Sequence, residues 1–487
     1  TTSNSRTTLS ATSDPSNRFS WVWFLLGGVG GASCLGLTGY YIFKSRDRKK
    51  DNDSSSFELK TFSHIEEGSS LSSIREGKKH TRIGKRYDLV NRISRKEART
   101  LYEQTGIEIE FPDGKNRTDA VIGKGAFGKV RLAYNIETER FVGVKKIKGA
   151  DQIAQSREEG ELQSRLKGKP NIMPVLDYVE STDSNDNPVI YEFMPLAGFG
   201  NGENLRDHLQ ALSDPARKEQ ILTHVTNGLL TGLSHMHKAH IYHLDMKPAN
   251  MVLDMQGEPF IIDFGCAKEL PGGQVRKQMT GDTEYYSPER IAFYRQLCEG
   301  QPTDSIAADK IDAWALGVSL LELATGVYSF DRTPFSQKIR QWDYVYFQEK
   351  LDAIPLLKNP APGSLLSIVK GLLDIDPQKR LSIEEALAQL AHIAPFSSLS
   401  AQRAAFADLK QQKPSSTKSP VPSLPRDQDE KYADVFTQRY GLTPDDVHPT
   451  GYELTPDFVQ QQPSSQASSA GNPIPPSYEE VRIPAKS

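Results

Sequence analysis

The sequence predicts an α+β fold, in which a strand-rich part is followed by a longer helical part, together with one N-terminal transmembrane helix and disordered tails. Three observations lead to this prediction. Sustained apolar patterning is confined to residues 115–397, an uncharged apolar run covers residues 19–43, and both ends of the chain are rich in small polar residues. The predicted segments are a disordered stretch at 1–18, a transmembrane helix at 19–43, a juxtamembrane linker at 44–114, a folded domain at 115–397 and a disordered Pro/Ser/Gln-rich tail at 398–487.

Composition and charge narrow the classes of function. Of the 487 residues, 37% are hydrophobic and 25% are charged, as in an average soluble globular protein. The formal net charge of -3 gives no reason to expect a nucleic-acid partner. The three cysteines, Cys34, Cys266 and Cys298, are far apart and form no Cys-x-x-Cys pair, which favours reduced thiols over a disulfide scaffold or a zinc site.

The run FSWVWFLLGGVGGASCLGLTGYYIF at 19–43 carries no charge. At about 1.5 Å per residue, a helix of this length crosses the roughly 30 Å hydrocarbon layer of a membrane. The aromatic residues near its two ends suit the membrane interface, whereas a buried core helix or a cleaved secretory segment is the alternative. Basic residues cluster directly after the run, which predicts a single-pass protein with a cytoplasmic folded domain: Lys44, Arg46, Arg48, Lys49 and Lys50.

Small residues form one face of the predicted membrane helix. Gly27 and Gly31 lie four positions apart, so two such helices could approach closely and form a homodimer. The alternative is that glycine is simply common in membrane helices.

The folded domain opens with the strand-like run AVIGKGAFGKVRLAY, which contains Gly123, Gly125 and Gly128 around Lys124. Glycines at this spacing allow the backbone to fold over a phosphate chain without obstruction by Cβ atoms. A dinucleotide-binding loop has similar glycines but requires a helix directly after them. Because VRLAY continues as a strand pattern, a glycine-rich flap over a hairpin is favoured.

The next strand and helix carry a candidate ion pair. The strand FVGVKKIK contains Lys145, and the helix that follows places Glu159 on the same inward face as Leu162. An inward-facing glutamate needs a cation, and Lys145 is the candidate. Glu158 and Glu161 are the alternatives if the helix register is off by a residue.

Further motifs follow in a fixed order. They are HLDMKPAN at 243–250, Asp263-Phe264-Gly265, Ser287-Pro288-Glu289, DAWALG at 312–317 and Arg380 in DPQKR. With the glycine-rich run and Lys145, this set resembles the eukaryotic-type protein kinase family over about 280 residues. The Asp-x-Lys-Pro-x-Asn form is similar to the serine/threonine branch, of the type lacking the catalytic-loop arginine.

The resemblance implies a bilobal fold, with a small β-rich lobe and a larger helical lobe, and a site for ATP and Mg²⁺. It implies that the glycine-rich run covers the phosphates, that Lys145 holds the α and β phosphates, and that Glu159 holds Lys145. Asp263 and Asn250 would coordinate Mg²⁺, since hard cations prefer oxygen ligands. Asp245 would orient the substrate hydroxyl and accept its proton, and Lys247 would reach the γ-phosphate.

The resemblance also implies an adenine pocket and two structural contacts. The adenine would lie against Val130 and Val144 and bond to the backbone near Glu192 and Met194, with Tyr191 guarding the pocket behind it. An ion pair between Glu289 and Arg380 would hold the helical lobe, and Asp312 would cap the catalytic-loop backbone.

Two departures from the family pattern concern regulation and substrate choice. Leu244 stands where many members have an arginine that answers a phosphate on the activation loop, so we expect phosphorylation of Thr280, Thr283, Tyr285 or Tyr286 to matter little. Asp282 stands where the family usually has a threonine that contacts the catalytic aspartate.

The tail contains two kinds of linear motif. YGLTPDDV at 440–447 and YELTPDFV at 452–459 are near copies, which suggests duplicated binding sites. The tetrapeptide from Pro475 to Tyr478 matches the Pro-Pro-x-Tyr ligand of WW domains, although chance in a proline-rich tail explains it equally well. The sequence thus predicts a membrane-anchored serine/threonine kinase that acts on proteins, and the alternative is a pseudokinase-like scaffold that recruits partners through its tail.

Overall fold

The computed structural model describes residue 74 and the ranges 81–125, 128–276, 280–299, 301, 305–333, 335–393 and 395–412. Within these ranges a strand-rich lobe precedes a helical lobe, as the α+β prediction requires. The predicted membrane helix at 19–43 and the tail motifs at 440–447, 452–459 and 475–478 lie outside the described residues. No helix of the described part is long and apolar enough to cross a membrane.

A seven-stranded antiparallel sheet forms the first lobe. Its order is β1-β2-β6-β7-β9-β8, with β5 also paired to β6. The branched and aromatic side chains of FVGVKKIK suit this pleated surface. The strands are β1 Thr81–Ile83, β2 Tyr87–Leu89, β5 Val121–Gly125, β6 Gly128–Asn135, β7 Arg140–Lys148, β8 Asp177–Thr182 and β9 Pro188–Met194, and a separate pair is β3 Arg92–Ser94 with β4 Arg117–Asp119.

The residues assigned to a juxtamembrane linker are folded from Thr81 onward, so the predicted domain start at 115 is too late. Strand β2 pairs with β6, and Tyr87 stacks on Phe193 with ring centroids 3.6 Å apart. Helix α1, Arg95–Thr105, begins at a capping box formed by Ser94 and Glu97. Three-residue strands carry too little periodicity to predict, because their stability comes from pairing with distant chain.

Helices build the second lobe around one large apolar core. The helix Pro215–Lys238 begins after the N-cap Asp214 with Pro215 in its first turn, and the helix Ala308–Thr325 ends at the C-cap Gly326, whose φ is +83°. The helices are α2 Ala150–Arg165, which packs on the sheet of the first lobe, then α3 Gly202–Ala211, α4 Pro215–Lys238, α5 Pro288–Cys298, α6 Ala308–Thr325, α7 Phe335–Gln341, α8 Tyr344–Ala353, α9 Leu365–Leu372, α10 Ile383–Leu390 and α11 Leu399–Gln411.

The helical lobe also contains short strands and 3-10 turns. The strand pair predicted around NMVLD and PFIID is present, since Met251–Leu253 pairs antiparallel with Pro259–Ile261. The strands are β10 Gly200–Asn201, β11 Ile241–Tyr242, β12 Met251–Leu253, β13 Pro259–Ile261, β14 Lys268–Glu269, β15 Gln274–Val275 and β16 Ile306–Ala307, and the 3-10 helices are Pro248–Asn250, Thr283–Tyr285 and Pro355–Leu357.

Helix α11 corrects the predicted domain end at 397, because it lies in the segment assigned to the disordered tail. Its apolar face packs on the helical lobe, where Phe406 and Leu409 are buried. Lys410 Nζ donates a hydrogen bond to the Gly106 carbonyl at 2.8 Å and another to the Gly198 carbonyl. Two segments that flank the predicted domain, α1 and α11, therefore meet each other.

Candidate active site

A glycine-rich hairpin covers the cleft between the lobes. Gly123 pairs with Val130, and Gly125 pairs with Gly128, whose φ of +128° is rarely adopted by residues that have a Cβ. Lys124 pairs with Lys129 through the backbone, and residues 126 and 127 lie outside the described ranges. Because β6 continues as a strand, the hairpin interpretation is confirmed and the dinucleotide alternative is excluded.

Alternation along the strands decides which side chains face the cleft. Lys145 is directly opposite Val130 on β6 and opposite Glu192 on β9, so these three side chains lie on one face of the sheet. Gly143 shares this face, since a Cβ added there would lie 3.2 Å from Met194 Cγ and 3.2 Å from Val130 Cγ1. Apolar side chains therefore enclose Gly143 so closely that a larger residue there would press on Val130 and Met194.

Two residues predicted for the adenine pocket lie on the opposite face. Val144 and Tyr191 belong to the apolar cluster that contains Phe193, and the Lys146 ammonium lies 5.1 Å from the centre of the Tyr191 ring. The predictions that Val144 contacts the adenine and that Tyr191 guards the pocket are wrong, because a one-residue shift along a strand moves a side chain to the other face. Glu192 stands where Tyr191 was expected.

Three carboxyl groups surround Lys145. Burial raises the pKa of Glu159 to about 7, Lys145 opposes this rise, and Asp263 and Glu192 add to it. Burial likewise raises the pKa of Glu192 against the effect of Lys145. A Cβ added at Gly265 would lie 3.2 Å from Asp263 Oδ1 and 3.2 Å from Glu159 Oε1, which places these two carboxyl groups side by side.

Glu159 is the helix α2 glutamate that the structure brings to Lys145. The alternatives Glu158 and Glu161 are exposed, whereas Glu159 is partly buried. The inward register expected from the spacing to Leu162 is therefore the observed one.

Asp312 holds the backbone of the loop 243–250. Its carboxylate accepts hydrogen bonds from the backbone of His243 at 2.9 Å and of Leu244 at 2.7 Å, and lies 2.9 Å from His237 Nε2. Burial acts to raise the pKa of Asp312, but His237 and His243 together outweigh it and the pKa is lowered. The prediction that Asp312 caps this loop is confirmed, and Leu244 is held with a φ of +61°.

The side chains of the loop converge on Asp245. Asn250 Nδ2 donates to Asp245 Oδ2 at 3.0 Å and to its backbone carbonyl at 2.8 Å, and Lys247 Nζ lies 3.0 Å from Asp245 Oδ2. The backbone N–H of Asp282 donates to the other carboxylate oxygen, Oδ1, at 2.7 Å. Three separate groups therefore fix the Asp245 carboxylate.

Asp282 adds a second carboxylate beside Lys247. Its Oδ2 lies 3.6 Å from Lys247 Nζ, and its Oδ1 accepts from the backbone of Glu284 at 3.1 Å. Burial acts to lower the pKa of Lys247, but Asp245 and Asp282 together outweigh it, so the pKa is raised and the ammonium stays charged. A hydroxyl at position 282 could not supply this charge.

The donor set beside Asp245 fits a hard cation. Because Asn250 uses its amide nitrogen on Asp245, its amide oxygen can serve as a metal ligand. The Asp263 carboxylate, whose Oδ1 accepts a hydrogen bond from the backbone of Gly265 at 3.3 Å, is a second oxygen ligand of the kind that Mg²⁺ prefers. Among the described residues, no cluster of three or more His, Cys, Asp or Glu side chains is placed to hold a metal alone. This suits an ion such as Mg²⁺, which takes most of its ligands from phosphate and water.

The activation-loop hydroxyls are mostly inaccessible. Thr280 is 5% exposed, Tyr285 is 9% exposed and Tyr286 is 3% exposed. Tyr285 donates to Glu322 Oε2 at 2.9 Å. Burial also raises the pKa of Cys266 to about 12, which keeps this thiol protonated and favours a packing role over a reactive one.

Glu289 and Arg380 form the expected ion pair. Arg380 Nη1 donates to Glu289 Oε1 at 2.6 Å, and Nη2 donates to Oε2 at 2.9 Å. Arg380 is 1% exposed and lies 5.0 Å from the Trp314 ring centre. This pair connects α5 to the chain before α10, away from the Asp245 cluster.

Two residues at the site, Gly143 and Arg290, and the side-chain direction of a third, Glu192, were not foreseen. Gly143 takes the place assigned to Val144, and the β-strand alternation from Lys145 was a signal that could have found it. Glu192 faces the cleft with its side chain, for which the same alternation was the signal. Arg290 donates a hydrogen bond to the backbone carbonyl of Leu244 in the catalytic loop, and no sequence pattern indicates such a contact.

Comparison with known proteins gives consistent matches. The family profile described as "Protein kinase domain" matches residues 117–390. The chain is similar to the hormonally up-regulated neu tumor-associated kinase of Homo sapiens, with 29% identity over 280 residues, which is 55% of this chain and 35% of that protein. It therefore spans about a third of that relative's length.

Two other relatives are covered more fully. Mitogen-activated protein kinase kinase 1 of Arabidopsis thaliana is 31% identical over 278 residues, which is 55% of this chain and 71% of that protein. Aurora kinase of Schizosaccharomyces pombe is 29% identical over 286 residues, which is 57% of this chain and 71% of that protein. All three similarities extend over little more than half of this chain.

Proposed function

The chain belongs to the protein kinase family, and from this premise we propose that it is a membrane-anchored serine/threonine kinase that transfers the γ-phosphate of ATP to hydroxyl groups of proteins. The observation that supports this most strongly is the fixed Asp245 carboxylate. Asn250, Lys247 and the backbone of Asp282 hold it in one orientation. A carboxylate so oriented suits the acceptance of a proton from a substrate hydroxyl.

Each remaining group has a role in positioning or in charge neutralisation, the two tasks that dominate phosphoryl transfer. Lys145, held beside Glu159, would bind the α and β phosphates under the glycine-rich hairpin. Lys247 would lie against the transferred phosphoryl group and offset its charge. Mg²⁺ held by Asp263 and Asn250 would neutralise the phosphate oxygens.

The adenine would lie on the cleft face above Gly143, between Val130 and Met194. Strand β9 ends at Met194, so the backbone beyond Glu192 provides hydrogen-bonding groups at the pocket edge. The Lys247-Pro248 pair supports serine or threonine as the acceptor. Protein substrates, ATP and Mg²⁺ are thus the ligands that we propose.

A phosphate-transfer assay tests this function. The full chain is incubated with γ-labelled ATP, Mg²⁺ and a generic protein substrate, beside Asp245→Asn and a control, Asp352→Asn, whose carboxylate is exposed on α8. We expect Asp245→Asn to lower kcat by about 100-fold to 10,000-fold, the usual worth of a general base. We expect phosphoserine or phosphothreonine in the product. Equal transfer by wild type and Asp245→Asn would reject the proposal.

Membrane anchoring is a separate proposal, supported by the uncharged run at 19–43 and the basic residues after it. The folded domain would then lie in the cytoplasm. Leu26→Arg combined with Leu35→Arg should move the full chain from the membrane fraction to the soluble fraction, and retention of the double variant in membranes would reject the anchor. A homodimer through Gly27 and Gly31, and a WW-domain partner at Pro475 to Tyr478, are further proposals from the sequence.

A further inference from the structure

Arg290 lies directly beneath the catalytic loop. It belongs to the first turn of α5 and is 2% exposed. Its Nη1 donates to the Leu244 carbonyl at 3.1 Å, and its Nη2 donates to the Thr280 carbonyl. The guanidinium carbon lies 4.0 Å from the centre of the Tyr286 ring. One side chain therefore connects the catalytic loop to both ends of the segment 280–286.

This position is energetically unfavourable for a cation. The first turn of a helix carries partial positive charge, and removing a guanidinium from water is costly unless its donors are used. The neighbouring Glu289 does not offset the charge, since it is paired with Arg380. Arg290 Nε has no hydrogen-bond partner among the described residues. A buried position of this kind would be filled at lower cost by an apolar side chain, so packing alone does not explain the arginine.

The contacts of Arg290 bear on the geometry of Asp245. The segment that Arg290 holds packs closely on the loop, since a Cβ added at Gly281 would lie 2.4 Å from the Leu244 carbonyl oxygen and 3.0 Å from Asp245 Oδ1. The next residue, Asp282, donates its N–H to Asp245. Tyr286 strengthens the same arrangement by donating to the Thr280 carbonyl at 3.2 Å.

We propose that Arg290 is a positioning residue, which keeps the segment 280–286 docked on the catalytic loop and thereby orients Asp245 without a phosphate on that segment. Arg290 contacts two backbone carbonyls and an aromatic ring. Unlike a phosphate group, these partners do not depend on a modification of the chain. Leu244 cannot bind a phosphate, and the hydroxyls of Thr280, Tyr285 and Tyr286 are buried while the segment is docked. The inference rests on the proposed kinase function.

The test compares arginines of the same helix in the full chain. Arg290→Met removes the tether, whereas the control Arg295→Met removes contacts to the carbonyls of Ile339 and Trp342, away from the catalytic loop. We expect Arg290→Met to lower kcat by about 10-fold to 100-fold, the range for losing hydrogen bonds from a charged group. The KM for ATP should stay within about twofold, because the nucleotide face is untouched. Arg295→Met should lower the melting temperature and leave kcat unchanged.

A second readout does not depend on catalysis. Amide hydrogen exchange of residues 243–247 and 280–286 should become faster in Arg290→Met and remain at the wild-type rate in Arg295→Met. Arg290→Lys, which keeps the charge but reaches fewer carbonyls, should lie between the wild type and Arg290→Met in both readouts. It also serves as the test variant if Arg290→Met does not fold.

The outcomes separate the two proposals. Wild-type kcat and exchange in Arg290→Met would overturn the tether, as would an equal fall of kcat in Arg290→Met and Arg295→Met. If the wild type transfers no phosphate, the kinase proposal fails, and the exchange rates still support or overturn the tether. Treatment of the wild type with a broad-specificity phosphatase should leave kcat unchanged, and a loss restored by rephosphorylation would overturn phosphate independence.

Discussion

Glu289 and Arg290 are neighbours in the first turn of α5, and both are buried, yet they act on different regions of the molecule. Glu289 faces the core of the helical lobe and closes a two-fold hydrogen-bonded pair with Arg380. Arg290 faces the catalytic loop and bonds to backbone carbonyls. The same helix turn therefore serves both a structural region and the region of the reaction.

The two regions differ in how completely their charges are satisfied. Arg380 also donates to the carbonyls of Asp374 and Lys310, each at 2.9 Å, so its hydrogen bonds are directed within the protein. Around Asp245, one ammonium is shared by two carboxylates, and the Asn250 amide oxygen is left for a ligand. The Glu289–Arg380 pair, whose charges are satisfied within the protein, supports stability. The side chains around Asp245 keep groups available for a ligand, so they can bind a charged substrate and accept a proton.

The largest expected effect concerns the ion pair between Glu289 and Arg380. Glu289→Gln should lower the free energy of unfolding by about 3–5 kcal/mol, because it leaves the Arg380 guanidinium buried without its counter-charge. The kcat of the folded protein should not change. Chemical denaturation with kcat measured in parallel checks this, and Glu299→Gln, at the exposed end of α5, is the control. A fall in kcat at constant stability would show that the two regions are not separate.

The next effect is a pH dependence at Lys145. Since the pKa of Glu159 is raised to about 7, this carboxyl group becomes protonated below that pH and no longer holds Lys145 as an ion pair. We expect kcat/KM for ATP to rise by up to about 10-fold per pH unit as the pH passes through 7. Glu159→Gln should flatten the profile, and an unchanged pH profile in that variant would assign the titration to another group.

Stability should change in the opposite direction over this range. The folded pKa of Glu159 lies above its unfolded value of 4.5, so the folded state binds more protons between pH 4.5 and about 7. The stabilising contribution of this group is complete below the unfolded pKa and is lost as the pH rises through about 7. Denaturation midpoints of wild type and Glu159→Gln, measured between pH 4 and 8, provide the check.

The smallest expected effect is at Asp282. Asp282→Thr keeps the backbone N–H that bonds to Asp245 but removes one of the two carboxylates beside Lys247. We expect kcat to change by no more than about 10-fold, because a partly screened charge pair contributes about 1 kcal/mol. Steady-state kinetics check this, and a loss as large as that of Asp245→Asn would mean that the Asp282 carboxylate itself takes part in the reaction.

The ordered set of motifs, through its resemblance to the protein kinase family, was sufficient to predict the residues around Asp245. Short loops set the positions of Asp245, Lys247 and Asn250, and the chain order of the motifs fixes which elements carry Glu159 and Asp263. The strand faces were harder, because Val144 and Tyr191 differ from Gly143 and Glu192 by one residue, and one residue inverts the face.

Long-range contacts explain what the sequence could not predict. Strands β1 and β2 are three residues long and are stabilised by pairing that reaches to β6. Helix α11 is amphipathic but lies beside a proline-rich tail, which obscured it. Arg290 bonds to the carbonyls of Leu244 and Thr280, and a carbonyl is present at every position, so no residue type marks the partner.

The most direct test measures kcat and the free energy of unfolding on the same preparations of Asp245→Asn and Arg380→Met. We predict that Asp245→Asn lowers kcat by at least about 100-fold while it lowers stability much less than Arg380→Met does. The amide oxygen of the variant can still accept from the Asp282 N–H, whereas Arg380→Met leaves Glu289 buried without its counter-charge. Arg380→Met should lower stability and leave the kcat of folded protein unchanged. Two results would contradict the view that the Asp245 cluster serves catalysis and the Glu289–Arg380 pair serves stability. One is wild-type kcat in Asp245→Asn, and the other is an equal fall of kcat and of the free energy of unfolding in the two variants.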